Sequence, residues 1–387
     1  MSRLATTGEV LQLVRSGEAV TRAEIGRVTG LSRPAVAHRV AELLQRGLVV
    51  EDAEGPSTGG RPPVRLRFNA AGGVVLVASL GASRTQIAIC DLAGEALART
   101  DVEIDVEEGP DVVLPLVMDT WERLLDGRGG GDDVVGVGLG VPATVEFAAG
   151  RTESARVMAS WTGVVIPPII ASRFPVPVLV DNDVNVIAMG EHRMAYASEL
   201  DDLLFVKVST RIGAGVISGG GILRGALGAA GEIGHIPVRD GGGVLCRCGN
   251  VDCVDSVASG TAILRDLREK GRDVTSLADV TDLVRAGDAE TMAVVRQAGR
   301  RLGEVIATAV NLLNPAVVVL GGDVAEMFQP LVSGVREIVY QRSTQLATRS
   351  LRIERSRLGP GAGITGCALM VIDRVLSAEA IDGTRTP

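Results

Sequence analysis

Four residues of one glycine-rich stretch, His235, Cys246, Cys248 and Cys253, have the types to hold a metal. One imidazole and three thiolates can close a tetrahedral zinc shell, with sulfurs about 2.3 Å from the ion and no position left for water. The Cys-x-Cys-x4-Cys spacing is unlike that of ordinary zinc fingers, and free buried thiols are the alternative reading. Three clustered cysteines outside a disulfide framework have few other uses, so the expected cofactor is a structural zinc that pins this loop. The two distant cysteines, Cys90 and Cys367, read as buried hydrophobes.

Carboxylates gather near the same loop in sequence. Glu232 stands in Gly231-Glu-Ile-Gly-His235, and Asp255 lies two residues past the last cysteine. The loop can thus hold Glu232, His235 and Asp255 around one polyol. A third acid, Asp183, belongs to Asn182-Asp-Val-Asn185, between an apolar strand at 177–180 and a helix. There a carboxylate can take a proton from a hydroxyl or hydrogen-bond to it. Taken alone, Asn182-Asp183 equally reads as a helix cap. His192 reads as a surface residue of the following helix.

These groups need elements to position them. Strands are expected at 74–80, 85–90 and 95–104, a helix after Pro110, and a buried strand at 134–141. A similar order follows Asp201, with strands at 203–209, 213–218, 222–224 and 316–320. Two such halves suggest a duplicated α/β domain with a cleft between them.

The first seventy residues differ in style. Val10, Leu11, Leu13 and Val14 form one apolar stripe, Thr21 and Glu24 make a capping box, and Ser32 caps a third helix with Pro34 in its first turn. Val36, Val40 and Leu43 face inward, which leaves Arg33, Ala37, His38 and Arg39 outside. Strands at 48–51 and 64–68 around the turn-rich segment 54–60 complete a winged helix-turn-helix. A small helical dimerisation domain is the alternative, and His38 read alone is simply solvated.

Charge separates the two parts. Residues 1–67 carry ten arginines against seven acids, whereas the remainder carries 29 basic against 40 acidic groups. An acidic body cannot attract DNA through its general field, so phosphate contacts belong to the head. Apolar runs fall short of the roughly 18 residues that span a bilayer, and the N-terminus has no signal-peptide core; a cytoplasmic protein is expected. Aromatic residues make up 2% of the chain, so hydrogen bonds rather than stacking must select any sugar.

Taken together, Gly138-Leu-Gly-Val-Pro142, Asn182-Asp-Val-Asn185, Gly213-Ala-Gly215, Gly231-Glu-Ile-Gly-His235, Cys246-Arg-Cys-Gly-Asn250, Cys253 and Asn314-Pro to Gly321-Gly322 resemble the ROK family of bacterial sugar-responsive repressors and sugar kinases. The winged helix with Gly59-Gly-Arg-Pro62 resembles its repressor branch. The resemblance implies a two-lobed actin-like (ribonuclease-H-like) ATPase fold behind the head. The domains would be 1–70, then 71–189 joined by a C-terminal helix at 361–380, then 190–360 with the zinc loop. It further implies a homodimer or homotetramer, with Asn182, Asp183, Glu232, His235 and Asp255 lining a sugar site. The family usually has glutamate where this chain has Asp255, and the gap from His235 to Cys246 is one residue longer than is typical.

The kinases of the family open with Asp-x-Gly-Gly-Thr, where this chain has Ser79, Gly81, Ala82 and Ser83. Their Gly-Thr-Gly is replaced by Ser209-Thr210-Arg211. Both phosphate-binding loops thus lack residues that backbone approach and metal handling need. The expectation is a transcriptional repressor, no enzyme, released from operator DNA by a sugar or a sugar phosphate, the latter through Arg211. Ser32, Arg33, His38 and Arg39 would enter the major groove and Arg61 of the wing the backbone or minor groove. The alternative is an ATP-dependent sugar kinase carrying a DNA-binding head, with Asp183 as its base.

Overall fold

The structure, a computed structural model, describes residues 5–52, 64–81, 84–131, 133–153 and 158–383. The head consists of α1 (Thr7–Ser16), α2 (Arg22–Thr29), α3 (Arg33–Gln45) and a hairpin of β1 (Val49–Asp52) and β2 (Arg65–Phe68), paired antiparallel with Val49 opposite Phe68. Val10, Leu11, Ile25, Val36, Val40 and Leu43 form its core, each at most 2% exposed. Arg61 and the turn 54–60 lie outside the described residues.

Local capping differs from the sequence reading in two places. Thr21 caps α2, but the Glu24 carboxylate accepts from the Val20 amide, 3.0 Å away; within the head the full capping box is that of Thr6 and Glu9 on α1. Ser32 has an extended backbone yet makes no side-chain cap bond. Pro34 occupies N2 and has no N–H, which removes one of the two donors such a cap accepts from.

Behind the head lies the first lobe: β3 (Val74–Ser79), β4 (Thr85–Asp91), β5 (Ala96–Val102), α4 (Pro110–Gly127), β6 (Val134–Val141), the hairpin β7 (Thr144–Glu146) and β8 (Arg151–Glu153), α5 (Ile166–Ala171), β9 (Val178–Asn182) and α6 (Asp183–Glu191). The second lobe comprises β10 (Leu203–Val208), β11 (Ile212–Ser218), β12 (Gly221–Ile222), α7 (Val254–Ala258), α8 (Gly260–Glu269), α9 (Leu277–Arg285), α10 (Ala289–Leu313), β13 (Val317–Gly321), α11 (Phe328–Arg342), α12 (Gln345–Thr348) and β14 (Arg352–Arg355). The chain closes with α13 (Ala362–Val375) and α14 (Ala378–Gly383).

Each lobe holds a five-stranded sheet, β5-β4-β3-β6-β9 in one and β12-β11-β10-β13-β14 in the other. Numbered within its lobe, each sheet has the order 3-2-1-4-5, with the first three strands antiparallel and the last two parallel. This is the duplicated α/β architecture of the actin-like fold. Strands such as Val74-Val-Leu-Val-Ala-Ser79 are apolar throughout because helices cover both sheet faces, α4 on one side and α13 on the other.

Two tight helix contacts fasten the parts. A Cβ built on Gly366 of α13 would lie 1.7 Å from the Val186 carbonyl oxygen of α6, so only glycine permits this approach. At the other end of α13 the head docks. The Gly8 amide donates to Asp382 at 2.9 Å, Gln12 to the Leu376 carbonyl at 2.6 Å, and Arg46 to the Ile381 carbonyl at 2.7 Å. The apolar core of the head runs without a break into Ile364, Cys367, Leu376 and Ile381.

His192 is buried, contrary to the surface position expected. A π-helical turn, His192–Tyr196, continues α6 inward, and His192 Nε2 lies 2.9 Å from the Leu200 carbonyl. Cys90 and Cys367 are fully buried, as expected.

Candidate functional site

Asn182 ends β9 and caps α6, its side-chain oxygen accepting from the Val184 and Asn185 amides at 2.8 and 3.3 Å while its amide group donates to the Ala143 carbonyl. The capping role thus coexists with a place on the cleft wall. It presents Asp183, the first residue of α6, to a cavity of about 460 Å³ between the lobes. Asn182, Asp183, Glu232, His235 and Asp255 all line this cavity. Glu232 accepts from Thr144 of the first lobe at 2.6 Å, so it bridges the cleft. Asp255 accepts from the Ile212 amide at 2.7 Å, and burial raises its pKa.

His235 and Cys248, which also line the cavity, belong to a cluster in which the four metal-type ligands converge. Their ligand atoms all lie within 4.8 Å of one another. Cys248 Sγ is 3.6 Å from Cys253 Sγ, and Cys246 Sγ is 3.7 Å from His235 Nδ1. A tetrahedral zinc site with arms of about 2.3 Å has edges of about 3.8 Å, so these spacings and the donor set fit that ion. Burial pushes the Cys253 thiol up to about 12 and the Cys246 thiol upward, and thiolates there require a cation to offset their charge. With Nδ1 turned to the sulfurs, His235 keeps Nε2 for a hydroxyl in the cavity.

Lys207 was not singled out from the sequence. It is one of two lysines in the chain and the one charge in the strand Leu203-Leu-Phe-Val-Lys-Val208. Its ammonium donates to Asp183 Oδ2 at 2.6 Å. The pair lies between the first cavity and a second one of about 450 Å³ that Ser79, Gly81, Ser209, Gly321 and Gly322 help to line. A Cβ on Gly81 would stand 3.8 Å from the Lys207 nitrogen, so the ammonium adjoins the turn that matches the first phosphate loop of the kinases. Ser209 hydrogen-bonds Asp323. Ala82 and Ser83 lie outside the described residues.

A further carboxylate, Asp181, is 1% exposed behind the cap. It accepts from Arg224 of the second lobe at 2.7 Å and from the Asn185 side chain at 2.9 Å, and Arg224 stacks on the Phe147 ring at 3.7 Å. An acid in the strand before the cap was the available signal; its arginine partner lies too far along the chain to read from spacing.

In the head, Arg33 and His38 of α3 and Ser32, which precedes it, are exposed. Arg39 is half-buried and donates to the Ala5 carbonyl at 2.6 Å, which ties α3 to the N-terminal segment instead of leaving that guanidinium open.

A family model described as "ROK family" matches residues 76–374. The chain belongs to the ROK family. Among ROK relatives, the xylose repressor of Caldicellulosiruptor bescii is 28% identical over 382 residues, 95% of each chain. A solved ROK family transcriptional regulator, a homologue of the E. coli MLC protein, is 25% identical with a TM-score of 0.82, covering 97% of this chain and 96% of that one. A ROK family glucokinase from Streptomyces griseus, solved with glucose and AMPPNP, is also 25% identical, with a TM-score of 0.65. It covers 77% of this chain and 99% of that one. The likeness to the ROK regulator therefore includes the head, whereas the glucokinase has no length left to match it.

Proposed function

We propose that this ROK protein is a DNA-binding transcriptional repressor whose head is controlled by a sugar or sugar phosphate in the cleft between its lobes. The observation that carries the reading is the docking of the head on α13 and α14, because α13 packs on α6 and α6 opens with Asp183. A ligand that moves Asp183 moves one end of a continuous packed path to the head. In this reading Asp183, Glu232, His235 and Asp255 meet the sugar hydroxyls, and Asn182 orients the first of them. Zinc, held by His235, Cys246, Cys248 and Cys253, fixes the loop that carries three of these side chains. It supplies no reaction there, since all four positions are protein ligands.

Ser32 and, on α3, Arg33 and His38 read the operator, assisted by Arg61, and a homodimer or homotetramer presents two heads to successive groove segments. The protein acts in the cytoplasm, in keeping with the finding that no helix among the described residues is long and apolar enough to cross a membrane. In this reading it transfers no phosphate, because Ser79 stands where the kinases of the family have their metal-handling aspartate and Ser209-Thr210-Arg211 replaces their second glycine-bearing loop.

For release, the sugar must favour the state that binds DNA poorly; a hundredfold preference corresponds to about 2.7 kcal/mol, within reach of a few buried hydroxyl contacts. Fluorescence anisotropy of the full chain on DNA from its own upstream region, titrated with aldopentoses, aldohexoses and their phosphates, tests this. Release by one compound is expected; tight operator binding that no compound alters overturns the sensor.

A further inference from the structure

Glu107 stands on a single 3-10 turn of the first lobe, Val106–Glu108, and its Oε1 accepts from two guanidiniums of the second lobe. Arg211 Nη2 lies 3.2 Å away and Arg247 Nη2 3.1 Å. Arg211 lines the polyol cavity, and Arg247 lies between Cys246 and Cys248 on the metal loop. Arg211 and Asp255 also line an adjoining cavity of about 410 Å³, to which Arg247, Arg265, Ser256 and Thr261 contribute.

Two positive charges converging on one oxygen repel each other unless an anion lies between them. Burial, and then Arg247, depress the pKa of the Arg211 guanidinium. The anion here is the more exposed partner: the Glu107 side chain is 57% exposed and that of Arg211 27%. Arg211 is thus the fixed element, and the carboxylate is the element that can leave. A phosphate monoester offers three oxygens to two planar guanidiniums, where Glu107 offers one.

We propose that Arg211 and Arg247 form an anion subsite at the rim of the polyol cavity, that Glu107 fills it from the opposite lobe, and that the phosphate of a phosphorylated sugar displaces Glu107. The proposal rests on the reading of the cavity as a sugar site. The exchange brings in more negative charge, because a phosphate monoester carries about −1.5 to −2 at neutral pH against −1 for Glu107, and two guanidiniums are there to meet it. Asp255 also acts on Arg211 through its charge, while its Oδ1 accepts from the Ile212 amide. Displacement removes both cross-lobe bonds of Glu107, so ligand entry and lobe rearrangement become one event.

Calorimetry on the full chain compares aldopentoses and aldohexoses with the phosphate monoester of each. For the sugar that binds, the ester is expected to bind about tenfold or more tightly than its parent. The ester-to-parent ratio should collapse toward one in the double variant Arg211→Met, Arg247→Gln and rise in Glu107→Gln. On the unmodified chain, inorganic phosphate should compete with the ester and leave the parent sugar untouched, a readout that depends on no variant. An ester no tighter than its parent, or a ratio that survives in a folded double variant, overturns the subsite. If a parent sugar alone binds and releases operator, the anion subsite fails and the sugar sensor stands; if no compound binds, both fail.

Discussion

Gly190 of α6 and Gly366 of α13 put the two helices in backbone contact: a Cβ built on Gly190 would lie 2.2 Å from the Ala362 carbonyl oxygen and 2.9 Å from the Gly366 amide. A contact without side chains cannot rearrange by rotamer changes, so the helices move together or separate. This joint lies between Asp183 in the cleft and the residues that hold the head.

Gly366→Ala forces the joint apart, because the added methyl meets backbone rather than a flexible side chain. A loss of about 1–3 kcal/mol is expected from overpacking. Thermal unfolding should show it, and operator release by sugar should weaken in the folded variant. Unchanged stability together with unchanged release would remove this joint from the account.

Asp373 of α13 sits between Arg15 of the head, 3.2 Å away, and Arg193 beyond α6. These pairs are half-exposed, so Asp373→Asn should cost less than about 1 kcal/mol of stability. Its effect should appear in coupling, shifting the sugar-induced change in operator affinity by about 0.5–2 kcal/mol. Matched anisotropy titrations of both proteins measure the difference.

Cys248→Ser removes one of four ligands. Metal content by mass spectrometry should fall from one zinc per chain to a small fraction, and sugar affinity should weaken roughly tenfold or more as His235 loses its anchor. Full metal content in the variant would contradict the ligand set.

Asp279 gives a pH signature unrelated to the site. Amide donors from Thr275 and Ser276 lower its pKa from 3.8 to about 2. A depressed folded-state value means that its contribution is present above about pH 4 and is lost as pH falls toward 2. Asp279→Asn should therefore be less stable than the parent near neutrality, and the gap should narrow over that window in chemical denaturation. A gap independent of pH would contradict the assignment.

Much of this was legible in the sequence because it is local or periodic. The strand 134–141 was placed to the residue, since four valines and three glycines in eight positions disfavour a helix. The ligand types and spacing of His235, Cys246, Cys248 and Cys253 reported a cluster because few other chemistries use them. Cross-lobe partners were not legible. Lys207 and Asp183 are brought together by the packing of α6 on β10 and β11, and Glu107 and Arg211 by the meeting of the two lobes, and nothing in the intervening chain encodes either meeting. His192 was misplaced because a helical turn beside a charged neighbour looks solvated until the second lobe covers it. Ser32 had the residue type of a cap, but Pro34 had removed a donor.

The central claim is that cleft and head share one equilibrium, and reciprocity tests it most directly. Sugar affinity of the full chain should be measured by calorimetry with and without saturating operator DNA. The account predicts that operator weakens sugar binding by the same factor by which sugar weakens operator binding, as linkage requires. A sugar affinity that operator leaves unchanged would contradict it.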